Sequence, residues 1–430
     1  MKLKNGKTET ISWYQFKIPI SEYEKRVGNI NGFNSIRFIR MYLTGFQDSV
    51  VLRMATLDLV RGDWRAYDKD LFTTILPESN ATMEVSTVDL EENSSREPIH
   101  YILPPGVERE GDPSQPGVYE ENEQSLALKI RNLSPGDARA VYKNTSLDFR
   151  QYDRLQMFVH GESMMDDPQP PVDYEMTLFV RMGSDYQNNY YEYEIPLRLS
   201  PHFVNNEYSI WPEENFLDVP LQLFTYIKQQ RNLKQRNNYT QIYSEYDPEN
   251  ENHKVSIKGN PSISDVRTLM IGVRNNGTTV RSVEIWANEM RLKGFNDDGG
   301  WAAQSTAQLA LSDLGNINFS GRYESDGFGG IEQRVSERRM DNYGAVNLAM
   351  SFNLGRLVPK ENLLNLPLYY SISKQVNTPK YDPLNEDLLL SEVLAQAEDK
   401  AQRDSIKNYS QTLKDYRSFR PFPPPVCLWP

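Results

Sequence analysis

Between residues 301 and 373, apolar and polar side chains alternate with a period of two, in four separate blocks. Trp301, Ala303, Ala307, Leu309 and Leu311 share one parity, with Gln304, Thr306 and Gln308 on the other. Ile317, Phe319 and Tyr323 then alternate with Asn318, Ser320, Arg322 and Glu324. Val346, Leu348, Met350, Phe352 and Leu354 alternate with Asn347, Ser351 and Asn353, and Leu368, Tyr370 and Ile372 with Tyr369, Ser371 and Ser373. Successive strand residues point to opposite faces, so each block predicts a strand with one apolar and one polar face. Two readings fit: a piece of transmembrane barrel with its apolar side chains toward lipid, and an antiparallel sheet with one face in water. On the first reading the lipid-facing set is Leu309, Leu311, Phe319, Val346, Leu348, Met350, Phe352, Leu368, Tyr370 and Ile372.

Upstream of residue 295 the pattern is that of a soluble sandwich. Strands are predicted over 125–133, 153–162, 174–182 and 190–197, and over VEIWANEMRL, where Val283, Ile285 and Ala287 oppose Glu284, Trp286 and Asn288. Asn275-Asn276-Gly277 reads as a hairpin turn, because Asn and Gly tolerate positive φ. The chain also repeats itself. WYQFKIPI (13–20) followed by residues 34–64 parallels YYEYEIPL (190–197) followed by residues 264–295. Phe16, Ile18 and Pro19 match Tyr193, Ile195 and Pro196, and Leu57 and Leu59 match Met290 and Leu292. Only about sixty residues precede Trp64, too few for a complete first copy.

The predicted fold class is therefore mainly β: jelly-roll or galactose-binding-like β-sandwich domains, then antiparallel outer-membrane-barrel-type strands and one C-terminal helix. Residues 1–65 would be the C-terminal half of a first sandwich, and 66–117 an irregular acidic, Pro-rich linker. Residues 118–295 would form the second sandwich, with an insertion at 200–262 holding a short helix near 221–230. Barrel-type strands would occupy 296–376, and a helix and unstructured tail 377–430. That helix is placed over 385–418 by the stripe Leu390, Leu394, Ala397, Ala401 and, after a slip, Tyr409, Leu413 and Tyr416, with Asn385 as cap. The seam between sandwich and barrel-type strands falls at 283–304, where Gly294, Gly299 and Gly300 turn the chain and Trp301 opens the first lipid-facing strand.

Composition narrows the function. The formal net charge of −12 offers no basic stripe to neutralise phosphates, so nucleic acid is not an expected partner. No run of eighteen apolar residues occurs, which excludes a spanning helix but not barrel strands. The N-terminus has basic residues without an apolar core or cleavage site and is not read as a secretory signal. One cysteine, Cys427, permits neither an internal disulfide nor a thiolate cage.

Nothing resembles an active site, and no enzyme activity and no cofactor are expected. His100, His160, His202 and His253 share no metal-ligand spacing. Of the acidic loops 164–173, 246–252 and 295–300, the last offers Asp297 and Asp298 as weak calcium candidates, without EF-hand spacing. DGFGG (326–330) sits between strands rather than opening a helix, which argues against phosphate binding. Trp13, Trp64, Trp286 and Trp301 fit core or seam packing better than sugar stacking.

Residues 35–65, SIRFIRMYLTGFQDSVVLRMATLDLVRGDWR, together with EIWANEMRLKGFNDDGGWAAQ (284–304) and LGRLVPKENLLNLPLYYSIS followed by PKYDPLNED (354–387), resemble the SprA/Sov family. That family is the giant outer-membrane translocon of the type IX secretion system in Bacteroidota. The resemblance implies a non-enzymatic, protein-conducting pore in the outer membrane, serving export and gliding motility, with soluble domains periplasmic or extracellular. Implied partners are the rest of the barrel itself, a PorV-like outer-membrane barrel, a periplasmic plug protein and secreted cargo. Four strands cannot close a cylinder, so an internal piece of a longer polypeptide is expected. The ending PFPPPVCLWP departs from the family pattern. The alternative is a soluble carbohydrate-binding or adhesin module pair, whose late strands form a third sandwich; an esterase- or glycosidase-like enzyme is a more distant third.

Overall fold

The computed structural model describes residues 16, 18, 24–27, 39–54, 57, 63–67, 71, 79–109, 122–235, 238–334, 337–358 and 366–421. The chain divides into two units, Met1–Arg61 and Gly62–Pro430. Among the described residues of the first unit there is no strand or helix, and Phe16, Ile18 and Leu57 are exposed. Most of the proposed first half-sandwich, including Pro19 and Leu59, lies outside the described residues.

The second unit begins with an antiparallel sandwich. Its strands are β1 (Arg65–Ala66), β2 (Thr82–Asp89), β3 (Gln124–Leu133), β4 (Ala138–Leu147), β5 (Tyr152–Ser163) and β6 (Met176–Gly183). They continue with β7 (Tyr190–Pro196), β8 (Leu217–Pro220), β9 (Tyr243–Tyr246), β10 (Lys254–Lys258), β11 (Val266–Asn275) and β12 (Arg281–Phe295). One sheet runs β1-β4-β11-β6-β7-β10-β9 and the other β2-β3-β12-β5-β8. Between them, Leu128, Ile130, Val159, Val180, Ile195, Ile271, Val283 and Ile285 are fully or almost fully buried. These are the alternate, largely β-branched positions of strands with one face in a core.

Three expectations are corrected here. Within 66–117, the described residues 82–89 are not irregular linker: β2 pairs with β3 from Thr82↔Arg131 to Asp89↔Gln124, because Met83 and Val85 alternate onto the core side. The insertion 200–262 supplies β8 to one sheet and β9 and β10 to the other. The Asn275-Asn276-Gly277 turn does not close a hairpin, since β11 and β12 belong to opposite sheets. Asn275 makes it an inter-sheet corner: its Nδ2 donates to the carbonyls of Leu133 and Thr279 at 2.8 Å, and its Oδ1 accepts from the Gly277 amide.

β12 is covered on both faces. Trp286, opposite the main core, is fully buried with Ile99, Tyr101, Ile210 and Trp211. The covering layer includes the short helices α1 (Leu90–Asn93) and α2 (Glu207–Ile210). A longer helix, α3 (Gln222–Gln235), turns Phe224 and Ile227 into the core on one side and buries Lys228 and Arg231 one turn on.

Past residue 301 the chain forms a separate five-stranded antiparallel sheet. Its strands are β13 (Ala302–Leu311), β14 (Gly315–Glu324), β15 (Asp341–Asn353), β16 (Pro367–Pro379) and β19 (Thr412–Pro421). They pair in that order and do not close on themselves. Between β16 and β19 an insert carries a small ribbon, β17 (Tyr381–Asp382) with β18 (Asn385–Leu389), then α4 (Leu390–Ala395) and α5 (Lys400–Ser410). The single helix expected over 385–418 is thus corrected to two short helices flanked by strands. The expected stripe ends with α5: beyond Ser410, Leu413, Asp415, Arg417 and Phe419 fall on one face of a strand, and β16 offers an edge to pair with.

Candidate functional site

The register of the open sheet brings the alternating blocks into rows. Ala307, Phe319, Leu348 and Ile372 lie side by side, as do Leu309, Ile317, Met350 and Tyr370, and Leu311, Gly315, Phe352 and Leu368. All ten residues read as lipid-facing share this one face with Trp301. None of them is buried, and Leu309 and Val346 are about half exposed, at 53% and 48%. Water-facing apolar surface on this scale is unfavourable by roughly 25 cal/mol per Å² against burial or lipid.

The opposite face is a polar ladder. Thr306, Ser320, Asn347 and Ser373 form one row across four strands. Ser373 Oγ donates to Asn347 Oδ1 at 2.5 Å, and Asn347 Nδ2 donates to Ser320 Oγ at 3.3 Å. Gln308, Asn318, Ala349 and Ser371 form the next row. Small, uncharged hydrogen-bonding groups fill the middle of this face. The apolar face ends at the β16–β19 side, where Lys374, Asp415 and Arg417 form ion pairs on the same side of the sheet as Ile372.

Two connections hold the sheet to the sandwich. The first is the seam. Gly294 has φ +71°, and a Cβ there would lie 2.5 Å from Asp153 Oδ2. Gly300 passes so close to the 326–328 turn that a Cβ would lie 2.2 Å from the Phe328 amide. Gly299 has neither constraint, and Asp297 and Asp298 are exposed. The Trp301 amide donates to Ser325 Oγ at 2.9 Å, and the Trp301 and Tyr323 rings sit 4.8 Å apart at the sandwich end of the sheet.

The second connection is a clasp made by the insert. Asp387 is 3% exposed; it accepts from Lys228 Nζ at 2.7 Å through Oδ1 and from the Tyr191 hydroxyl at 2.6 Å through Oδ2. Lys228 Nζ also donates to the Pro261 carbonyl at 2.9 Å. Burial lowers the Lys228 pKa although Asp387 pulls it up, and burial together with the Asp387 charge pushes Tyr191 well up. Around this pair, Arg150 donates to the Glu386 carbonyl and stacks 4.6 Å over Tyr381, and Gln229 bonds Glu392 and Gln396. Charge at Lys228 and Asp387 gives no periodic signal in the sequence, and 159 positions separate them.

Other clusters serve packing. Ser200 Oγ lies 3.1 Å from His160 Nδ1, and His160 Nε2 3.6 Å from Glu162 Oε2, but all three are at most 3% exposed beneath Trp211 and Trp286. Arg96 closes this cluster, donating to Glu162 at 2.5 Å and Glu284 at 2.7 Å with its guanidinium 5.1 Å over Trp286. Burial raises the Glu162 pKa, but the nearby His160 ring and the hydrogen-bonded Arg96 guanidinium outweigh it and leave it lowered. A carboxylate held below its unfolded value stabilises the fold above about pH 4.5, and that contribution fades as pH falls toward the folded value. Glu162→Gln is expected to cost about 2 kcal/mol at pH 7 and to flatten the acid limb below about pH 4.5 in denaturation titrations. His202 bonds Ser163, and His253 sits against Tyr193 at 2.9 Å. Among the described residues no group of three or more His, Cys, Asp or Glu is arranged to hold a metal ion. No helix among them is long and apolar enough to cross a membrane, which says nothing of a β-barrel. Trp64 packs on the sandwich core, Trp286 is buried, Trp301 is 60% exposed at the seam, and Trp13 lies outside the described residues.

The sequence model SprA_N, described as a motility related/secretion protein, matches residues 1–394. Among curated proteins, none matches the chain.

Proposed function

The chain belongs to the SprA_N family of motility-related and secretion proteins, and from that premise we propose that it is a segment of an outer-membrane translocon of the type IX secretion system. In this reading the sheet of β13 to β16 and β19 is an arc of a larger barrel. Its apolar face, with Leu309, Phe319, Leu348, Met350, Phe352 and Ile372, meets lipid, and the Ser320–Asn347–Ser373 ladder faces an aqueous lumen. The single observation that carries the reading is this two-faced sheet. Tyr343, Tyr369 and Tyr416 stand on one face; over β13 to β16 the Leu, Ile, Val, Met and Phe side chains share the other, and none of them is buried. In water such a face is a liability; in a bilayer it is the required one.

The lumen would be passive, with small neutral polar groups that hydrogen-bond water and do not hold passing protein by charge. The sandwich, fixed to the sheet by seam and clasp, would shape access to that lumen. The rest of the barrel would complete the cylinder, with a PorV-like barrel, a periplasmic plug and secreted cargo as partners. The role in gliding motility follows from the same transport.

Site-directed labelling tests the arrangement. In full-length protein with Cys427→Ser, single cysteines at Asn347, Ser371 and Ser373 should react with a membrane-impermeant maleimide. Cysteines at Leu348, Met350 and Ile372 should react only after detergent replaces the bilayer. Equal labelling at both sets in intact membranes would remove the barrel reading and favour a soluble third sandwich.

A further inference from the structure

The outer face of the seven-stranded sheet is treated in two ways. Over β4 and the neighbouring Phe179 and Met270 of β6 and β11 it is apolar and covered: Tyr67 and Leu71 pack on Ala138, Ala140, Phe179 and Met270. Over β7, β10 and β9 it opens into a groove of about 1000 Å³. That volume is at the upper end of small-ligand pockets and suits a short oligomer better than a single small molecule.

The floor of the groove is a buried charge network. Arg181 Nε donates to Glu192 Oε2 at 2.7 Å; Arg274 donates to Glu194 Oε1 at 2.6 Å and to Glu192 Oε1 at 3.1 Å. Arg181, Glu192 and Glu194 are only 4–5% exposed, although they stand on an outer face with space above them. The Arg181 guanidinium lies 3.9 Å over the Tyr190 ring, which locks both. Such a network holds its donors and acceptors in fixed positions before a ligand arrives. Arg181 and Arg274 outweigh the effect of burial and keep Glu192 ionised down to about 2, whereas burial and the Glu192 charge raise Glu194.

The walls add hydroxyls and amides: Ser244 and Ser256, bonded at 2.8 Å, with Thr240, Gln241, Asn188 and Asn276. Tyr246 stands at the edge strand with 67% of its surface exposed, a flat ring free for stacking. An apolar ligand finds no apolar pocket here. A ligand rich in hydroxyls uses every part: carboxylates accept from vicinal hydroxyls, guanidinium and amide groups donate, and a tyrosine ring packs on a sugar face.

We infer that this groove is a binding site for an oligosaccharide of several sugar units, on the soluble sandwich and independent of the membrane reading. Two arginines and two lysines, Lys254 and Lys258, face two glutamates there, so a saccharide bearing carboxylates binds more tightly than a neutral one.

Isothermal titration of the full chain with tetragalacturonate and with maltotetraose at low salt tests it. Saturable binding is expected, tighter for the acidic chain and weakened by salt. Gln241→Trp, which fills the groove from an exposed position, and Tyr246→Ala should each weaken it at least tenfold with melting temperature unchanged. Should one variant misfold, the other still reads the site. Absence of binding by both saccharides to folded chain overturns the inference, and so does binding that neither variant weakens.

Discussion

Replacing Leu348 and Phe352 together by Arg is expected to remove the full-length protein from the outer membrane, lowering its level there at least tenfold. Both side chains lie on the middle strand of the open sheet, on the apolar face, with Leu348 beside Phe319 and Ile372 and Phe352 beside Leu368. An Arg on the lipid face of a barrel costs about 2–4 kcal/mol near the bilayer midplane. The two sites are four residues apart, roughly 13 Å along a strand, so their costs should nearly add. The paired control is Asn347→Arg with Ser351→Arg, one residue away on the polar face, which a water-filled lumen tolerates. The contrast between the pairs matters more than either alone. On a soluble sheet, partly exposed positions such as these change stability by only about 0.5 kcal/mol on substitution. Membrane levels that stay at wild type in the Leu348/Phe352 variant would sink the barrel assignment.

The alternation that motivates this experiment was fully legible in the sequence. Each of the first four strands of the sheet has its large aliphatic residues and phenylalanines at one parity. Mainly Ser, Asn, Gln, Thr and Ala stand at the other, with Tyr343 and Tyr369 as aromatic exceptions, and strand geometry does the rest. The fifth strand was hidden by ambiguity of period. In TLKDYRSFRP the apolar residues Leu413 and Phe419 share a face with Asp415 and Arg417, so the parity carries no clean contrast. Nearby Tyr409 and Tyr416 supplied a competing helical spacing. Pairing with the free edge of β16 decided the outcome, and that edge is a long-range fact.

The sandwich shows the same division. Strands such as β6 and β7 were legible because they bury nearly every residue, but their assignment to sheets was not. A turn rich in Asn and Gly announces a change of direction without stating whether the chain returns beside itself or crosses to the facing sheet. The segment 82–102 was misread for a different reason: its acidic and Pro-rich flanks dominate the local composition. Only Val88, Ile99 and Tyr101 enter the second core cluster, yet they seal the far side of Trp286. The saccharide groove was invisible as well, since its residues come from β6, β7, β9, β10 and β11 and read singly as ordinary strand polars.

The least legible feature, the clasp, has the second large expected effect. Asp387→Ala should destabilise the unit by about 3–5 kcal/mol in urea or thermal unfolding of the full chain, because it strands a buried ammonium. Lys228 has 1% of its side chain exposed and would retain only the Pro261 carbonyl. The Tyr191 hydroxyl would fall back on that same carbonyl, 3.3 Å away. The sequel separates charge burial from shape: Lys228→Met combined with Asp387→Leu should recover most of the loss, since an apolar pair of similar volume leaves no orphan. If the double variant were as unstable as Asp387→Ala, the clasp would depend on its hydrogen bonds to Tyr191 rather than on charge balance. The pH dependence provides an independent check. Lys228 titrates below its unfolded value of 10.5 in the folded chain, so between the two values the unfolded state binds more protons and stability rises with pH. Removing Asp387 takes away the charge that pulls the Lys228 pKa up, so this rise should begin at lower pH and be larger in Asp387→Ala than in wild type. Limited proteolysis should register the same change as faster cutting within 381–411, as the insert leaves the sandwich and the seam becomes the remaining tie between sandwich and sheet.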